Sequence, residues 1–62
     1  MEKEAFIAAG QAIFGKSGWK GQMAEALGVH PTTITRYVGG SPIPDVVALA
    51  VEALRARKDT AS

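Results

Sequence analysis

The stretch that decides the fold is MAEALGVHPTTITRYVGG, Met23 to Gly40. Met23, Ala24 and Leu27 recur at the three- and four-residue intervals that put side chains on one face of a helix. Gly28 then stands where a helix end favours a left-handed residue, a conformation that side chains with a Cβ resist. Only Val29 and His30 precede Pro31. Proline suits the first position of a new helix, because the N–H it lacks has no helical partner there and its fixed φ is already helical; His30 is then the cap. Ile34, Tyr37 and Val38 follow at i, i+3 and i+4, and Gly39-Gly40 stops the run. Two helices joined by a glycine-containing turn this short form a helix-turn-helix unit.

Within that unit each residue type has a geometric task. Ala24 is small enough to let the two helices cross closely, Gly28 makes the sharp turn, and Met23, Val29, Ile34 and Tyr37 point inward. Thr32, Thr33, Thr35 and Arg36 remain outside. Threonine is a poor choice for an exposed helix, since its χ1 is restricted and its hydroxyl competes for backbone partners. On a helix entering a DNA major groove it makes sense: hydroxyls meet phosphates or bases, threonine methyls meet thymine methyls, and arginine grips guanine O6 and N7.

Working outward, Phe6, Ile7, Ala9, Ile13 and Phe14 recur at helical spacing from Lys3 to Phe14, with Gly10 the one weak helix former. Gly15-Lys16-Ser17-Gly18 breaks that helix, and the second runs from Trp19 or Lys20 to Leu27. Beyond Gly40, the prolines of Ser41-Pro42-Ile43-Pro44 forbid helix, and Asp45 is placed to cap a last helix reaching about Arg57. Residues 59–62 read as a frayed tail. No repeat, low-complexity tract or strand pattern is present. The chain is expected to be all-α, a compact bundle of about four short helices in a single domain, residues 1–58.

Composition narrows the function. Sixty-two residues make one small domain, and with no cysteine and one histidine neither a disulfide nor a structural zinc site is expected. No apolar run approaches the roughly 20 residues that span a bilayer, and the Glu2-Lys3-Glu4 start resembles neither a signal nor a transit peptide, so a cytoplasmic protein is expected. No nucleophile–base set, phosphate loop or carboxylate pair suggests an enzyme, and no cofactor or metal is expected. Net charge is +1, but residues 16–38 hold Lys16, Lys20 and Arg36 against Glu25 alone. The acids Glu2, Glu4, Asp45, Glu52 and Asp59 all lie outside this segment, and a mildly basic centre suits a phosphate-facing surface.

MAEALGVHPTTITRYVGG resembles the helix-turn-helix of the Cro and lambda-repressor-like regulators, in which alanine, glycine and an aliphatic residue occupy the places of Ala24, Gly28 and Ile34. GWKGQMAEALGV with TRYVGG and PIP is similar to a group of short regulators reading roughly W-Q-x-x-L-A-x-x-L-G-V, then R-W-x-x-G, then P-I-P. The similarity covers about Gly18 to Leu54. Lys20 stands where that group has glutamine, Tyr37 replaces a tryptophan, and His30-Pro31 replaces a serine-initiated cap. The resemblance implies a lambda-repressor-like fold and a transcriptional repressor of the kind found in phages and mobile elements, sometimes beside anti-CRISPR genes. It places the third helix in the major groove, with Thr32, Thr33 and Arg36 on bases and Thr35 and His30 flanking. Lys20 with Trp19 would hold the DNA backbone, and Ser41 would touch a phosphate. Trp19 also fits a core anchor between the first and second helices, and His30 a cap rather than a metal ligand or pH switch.

The last helix carries two apolar stripes, Val46, Leu49, Ala50 and Ala53 on one side and Val47, Val51 and Leu54 on another. Covering a small core takes one. The second, with Ile43 beside it, suggests a homodimer contact, for which Ile43, Val47, Ala50, Val51 and Leu54 are the candidates. One reading helix covers few base pairs, so a dimer on a pseudo-palindromic operator with half-sites about 34 Å apart is expected. The alternatives are an antitoxin or a protein-interaction module that keeps the helix-turn-helix.

Overall fold

A computed structural model describes residues 1–61, with side chains through residue 58. The chain forms four helices, α1 (Lys3–Phe14), α2 (Trp19–Leu27), α3 (Pro31–Val38) and α4 (Asp45–Ala61). Helix α4 continues through Ala61, four residues past the end expected near Arg57, so residues 59–61 of the expected frayed tail are helical backbone; residue 62 lies outside the described residues.

Two of the helix ends are built alike. At the end of α2, Gly28 is left-handed (φ 71°, ψ 31°). Its N–H donates to the Glu25 carbonyl at 3.2 Å, and the Val29 N–H reaches the Ala24 carbonyl at 2.9 Å. This crossed pair is the Schellman arrangement, which satisfies carbonyls that the helix itself leaves unpaired. At the end of α3 the pattern repeats one glycine later. Gly39 is still right-handed and Gly40 takes φ 109°. The Gly40 N–H meets the Tyr37 carbonyl at 3.1 Å and the Ser41 N–H meets the Arg36 carbonyl at 3.0 Å. The start of α4 departs from expectation by one residue. The Pro44 carbonyl takes the first helical bonds, from Val47 at 3.0 Å and Ala48 at 3.1 Å, so Pro44 holds the cap position. Asp45 lies in the first turn, where a carboxylate still meets the positive end of the helix dipole.

The core is organised on α1, which packs against each of the other three helices. Phe6 is wholly buried and meets two other rings edge-on, Trp19 at 5.9 Å and 65° and Tyr37 at 5.6 Å and 77° between ring planes. One residue of α1 thereby ties α2 to α3. Met23, Ala24, Ile34 and Val51 fill the space around the rings. Each large side chain so buried contributes roughly 1.5–3 kcal/mol. Gly10 has a sharper role than its helix propensity suggests: the Trp19 indole lies on it, and an added Cβ would fall 2.9 Å from Cδ2 and closer still to Cζ3 and Cε3.

Helix α4 lies on α1 and α2, and no Cα of α4 comes within 8 Å of one in α3 among the described residues. Its inward face is Val51, with Val47 and Leu54 half-buried beside it. From its far end Lys58 donates to the Ala12 and Ile13 carbonyls of α1 at 3.2 Å and 2.5 Å. A cation there satisfies carbonyls of the last turn of α1 and matches the negative end of its dipole. No helix among the described residues is long and apolar enough to cross a membrane.

Candidate nucleic-acid interface

Helix α3 has eight residues, too few to persist by helix propensity. Ile34 and Tyr37 anchor it in the core. At its start the His30 Nδ1 accepts from the Thr32 N–H at 3.1 Å, and Pro31 follows in the first helical position. The histidine therefore does the work usually given to serine or aspartate at a cap. This bond also assigns the imidazole: Nδ1 is the acceptor, and any proton on the neutral ring is on Nε2.

Opposite Ile34 and Tyr37, the exposed face consists of Thr32, Thr35 and Arg36 at i, i+3 and i+4. Thr33 is half-buried at its edge. The Thr35 hydroxyl donates to the Pro31 carbonyl at 3.3 Å, so it offers a ligand its methyl group and the oxygen lone pairs, not its hydrogen. Arg36 carries five donors in a planar fork, and among the described residues no hydrogen bond or ion pair holds its guanidinium.

The start of α2 supplies a second patch. Gly18 is left-handed (φ 76°), and the first helical bond runs from the Gln22 N–H to the Gly18 carbonyl at 3.3 Å. The N–H groups of Trp19, Lys20 and Gly21 lie ahead of that bond and so have no helical acceptor. Lys16, Ser17, Gly18, Trp19 and Lys20 line a shallow depression at this point, with both ammonium groups at the surface. Lys16 escaped the sequence reading as a site residue because the loop geometry that brings it beside Lys20 is set by the two flanking glycines. No known protein family, characterised protein or solved structure matches the chain.

Two of the expected site residues take other positions. Trp19, read both as a partner of Lys20 on the DNA backbone and as a core anchor between α1 and α2, is 4% exposed and packs on Gly10 and against Phe6, so it is the core anchor and only its backbone N–H remains at the helix start. Val51, expected at a dimer contact, has no exposed surface because it closes the core under α1. Ile43, Val47 and Leu54 pack against that same core, and Ala50 lies at its margin. The stripe left open is the other one: Val46 is 71% and Leu49 65% exposed. Ser41 is at the surface, its N–H committed to the Arg36 carbonyl. His30, Thr32, Thr35, Arg36 and Lys20 are all exposed.

Proposed function

We propose that the chain is a sequence-specific double-stranded-DNA-binding repressor, acting as a homodimer on a pseudo-palindromic operator and blocking a promoter, its own among them. The reading rests on one observation above the rest: a short helix anchored by Ile34 and Tyr37 presents on its open side Thr32, Thr35 and Arg36, the last without a partner among the described residues. A face of small hydroxylic side chains around one arginine fits a major groove, which a bulkier or acidic face would not. The resemblance of Met23 to Gly40 to Cro and lambda-repressor-like regulators supports the same orientation.

In this arrangement Arg36 and Thr32, one turn apart, read base edges. Thr35 contributes its methyl, and Thr33 contacts the groove wall. Lys20 and Lys16, with the open N–H groups at the start of α2, hold a phosphate of the flanking backbone. Ser41 and His30 lie at the two ends of α3 and reach backbone, not bases.

Selection of binding sites from a random duplex pool with the purified protein tests the reading. A two-fold motif with a guanine in each half-site is expected. Arg36→Ala should weaken binding to the selected site by roughly 1–3 kcal/mol and relax preference at that guanine. A pool that never enriches, or an Arg36→Ala protein that binds the selected site as tightly as wild type, refutes it.

A further inference from the structure

The outer ridge of α4 has a pattern that its core-facing side does not explain. Asp45, Leu49, Ala53 and Arg57 recur every four residues and all four are exposed. Residues four apart form one of the ridges by which helices pack. This ridge is self-complementary when reversed. Laid antiparallel on a copy of itself about a two-fold axis passing over residue 51, it sets Asp45 against Arg57 and Leu49 against Ala53, and each pairing occurs twice. A large side chain then meets a small one, and an acid meets a base. Val46, open beside the ridge, adds apolar surface next to each Asp45–Arg57 pair.

We infer that this ridge is the homodimer contact, with the two α4 helices antiparallel. The inference deepens the reading above and rests on it only for the partner being a second copy of the chain. Charge complementarity argues for a copy over an unrelated protein, since a ridge with an acid at one end and an arginine at the other fits its own reverse. A parallel pairing would bring acid to acid and base to base. The location fits as well, because no Cα of α4 lies within 8 Å of one in α3 and a contact through the outer ridge leaves Thr32, Thr35 and Arg36 uncovered. A patch a few side chains long falls short of the ~800 Å² per partner of a standard interface, so the dimer is a weak one.

Sedimentation equilibrium of the full chain from about 10 µM to about 1 mM covers the range in which so small a contact associates. Wild type should move from monomer to dimer mass. Leu49→Glu should weaken association roughly a hundredfold, because the dimer buries this side chain twice. Its circular dichroism should be unchanged, since Leu49 is open in the monomer. Asp45→Arg and Arg57→Asp should each weaken association roughly three- to tenfold, and the double exchange should restore it. A wild type that stays monomeric at 1 mM, or a Leu49→Glu protein that dimerises normally, overturns the contact; a double exchange no better than either single change overturns the antiparallel orientation. These outcomes are separable from failure of the DNA reading. A chain that dimerises through α4 but enriches no DNA sinks only that reading, and one that enriches DNA while Leu49→Glu leaves its mass curve unchanged sinks only this one.

Discussion

Replacing Gly10 by alanine is the most demanding test of the core, because local and tertiary effects have opposite signs. In an exposed helix the change should stabilise by about 0.8–1 kcal/mol, since glycine loses more backbone entropy on folding. At Gly10 the new Cβ would enter the Trp19 ring, 2.9 Å from Cδ2 and nearer to two further atoms. The indole has little room to retreat, being 4% exposed and in edge-on contact with the buried Phe6 ring. Overpacking of this kind costs about 1–3 kcal/mol or slightly more. Displacing the ring also weakens the edge-on contact with Phe6, worth about 0.5–1.5 kcal/mol beyond area. Against a gain near 1 kcal/mol, the net is a loss of about 0.5–3.5 kcal/mol, centred on about 2 kcal/mol. In a domain this small, a loss of about 2 kcal/mol lowers Tm by roughly 8–16 °C.

Gly21→Ala is the matching control. Gly21 lies in α2 with nothing within 4 Å of the Cβ position, so the propensity gain should appear undiminished and Tm should rise. Thermal unfolding followed by circular dichroism measures both variants, and Trp19 fluorescence should shift to the red only in Gly10→Ala. If Gly10→Ala melts at or above the wild-type temperature, the seating of Trp19 on Gly10 is wrong.

His30→Ala should cost about 0.5–2 kcal/mol through loss of the α3 cap, and His30→Asn should recover most of it; equal melting temperatures for all three proteins would show that the Nδ1 bond contributes nothing. Lys58→Met should lower stability by about 0.3–1 kcal/mol by removing the cation from the end of α1, a change readable as a shift in the urea midpoint at constant m-value. Lys20→Ala should weaken binding to specific and random duplexes alike and reduce the slope of log K against log salt by about 1, whereas a sequence-dependent loss would place Lys20 on a base instead of a phosphate.

Helix boundaries were legible wherever a residue forbids continuation. Gly15 with Gly18, Gly28, Gly39-Gly40 and Pro42 with Pro44 mark every boundary between helices, and the three-residue joint between α2 and α3 follows from Gly28 and Pro31; no breaker marks the end of α4, which runs past the expected Arg57 to Ala61. Choices between equivalent surfaces were not legible. Both stripes of α4 are apolar, and local periodicity carries no information about which of them α1 will cover. The inward face is decided by long-range partners: Val51 meets the core, and Lys58 reaches the carbonyls of Ala12 and Ile13. Gly10 illustrates the same limit, since its requirement comes from Trp19, nine positions away in another helix. On α3 the threonines share one composition but not one exposure, because Thr33 falls beside Tyr37 and Thr32 does not.

These facts bear on how the candidate DNA-reading face is held. A helix of eight residues, three of them threonine, would not form alone, so its orientation is dictated from outside itself. His30 fixes the first turn, Gly40 and Ser41 close the last, and Ile34 and Tyr37 set the rotation about the helix axis. Tyr37 stands on Phe6, Phe6 on Trp19, and Trp19 on Gly10. Arg36, one residue from Tyr37, is thus aimed by a chain of contacts ending on the far helix α1. Disturbance at Gly10 should weaken binding to every duplex in proportion to the fraction unfolded. Loss of Arg36 should leave melting unchanged and alter preference at one base. The pair separates the scaffold from the face it presents, because stability and sequence preference move independently only if the helix is placed by the core and not by the DNA.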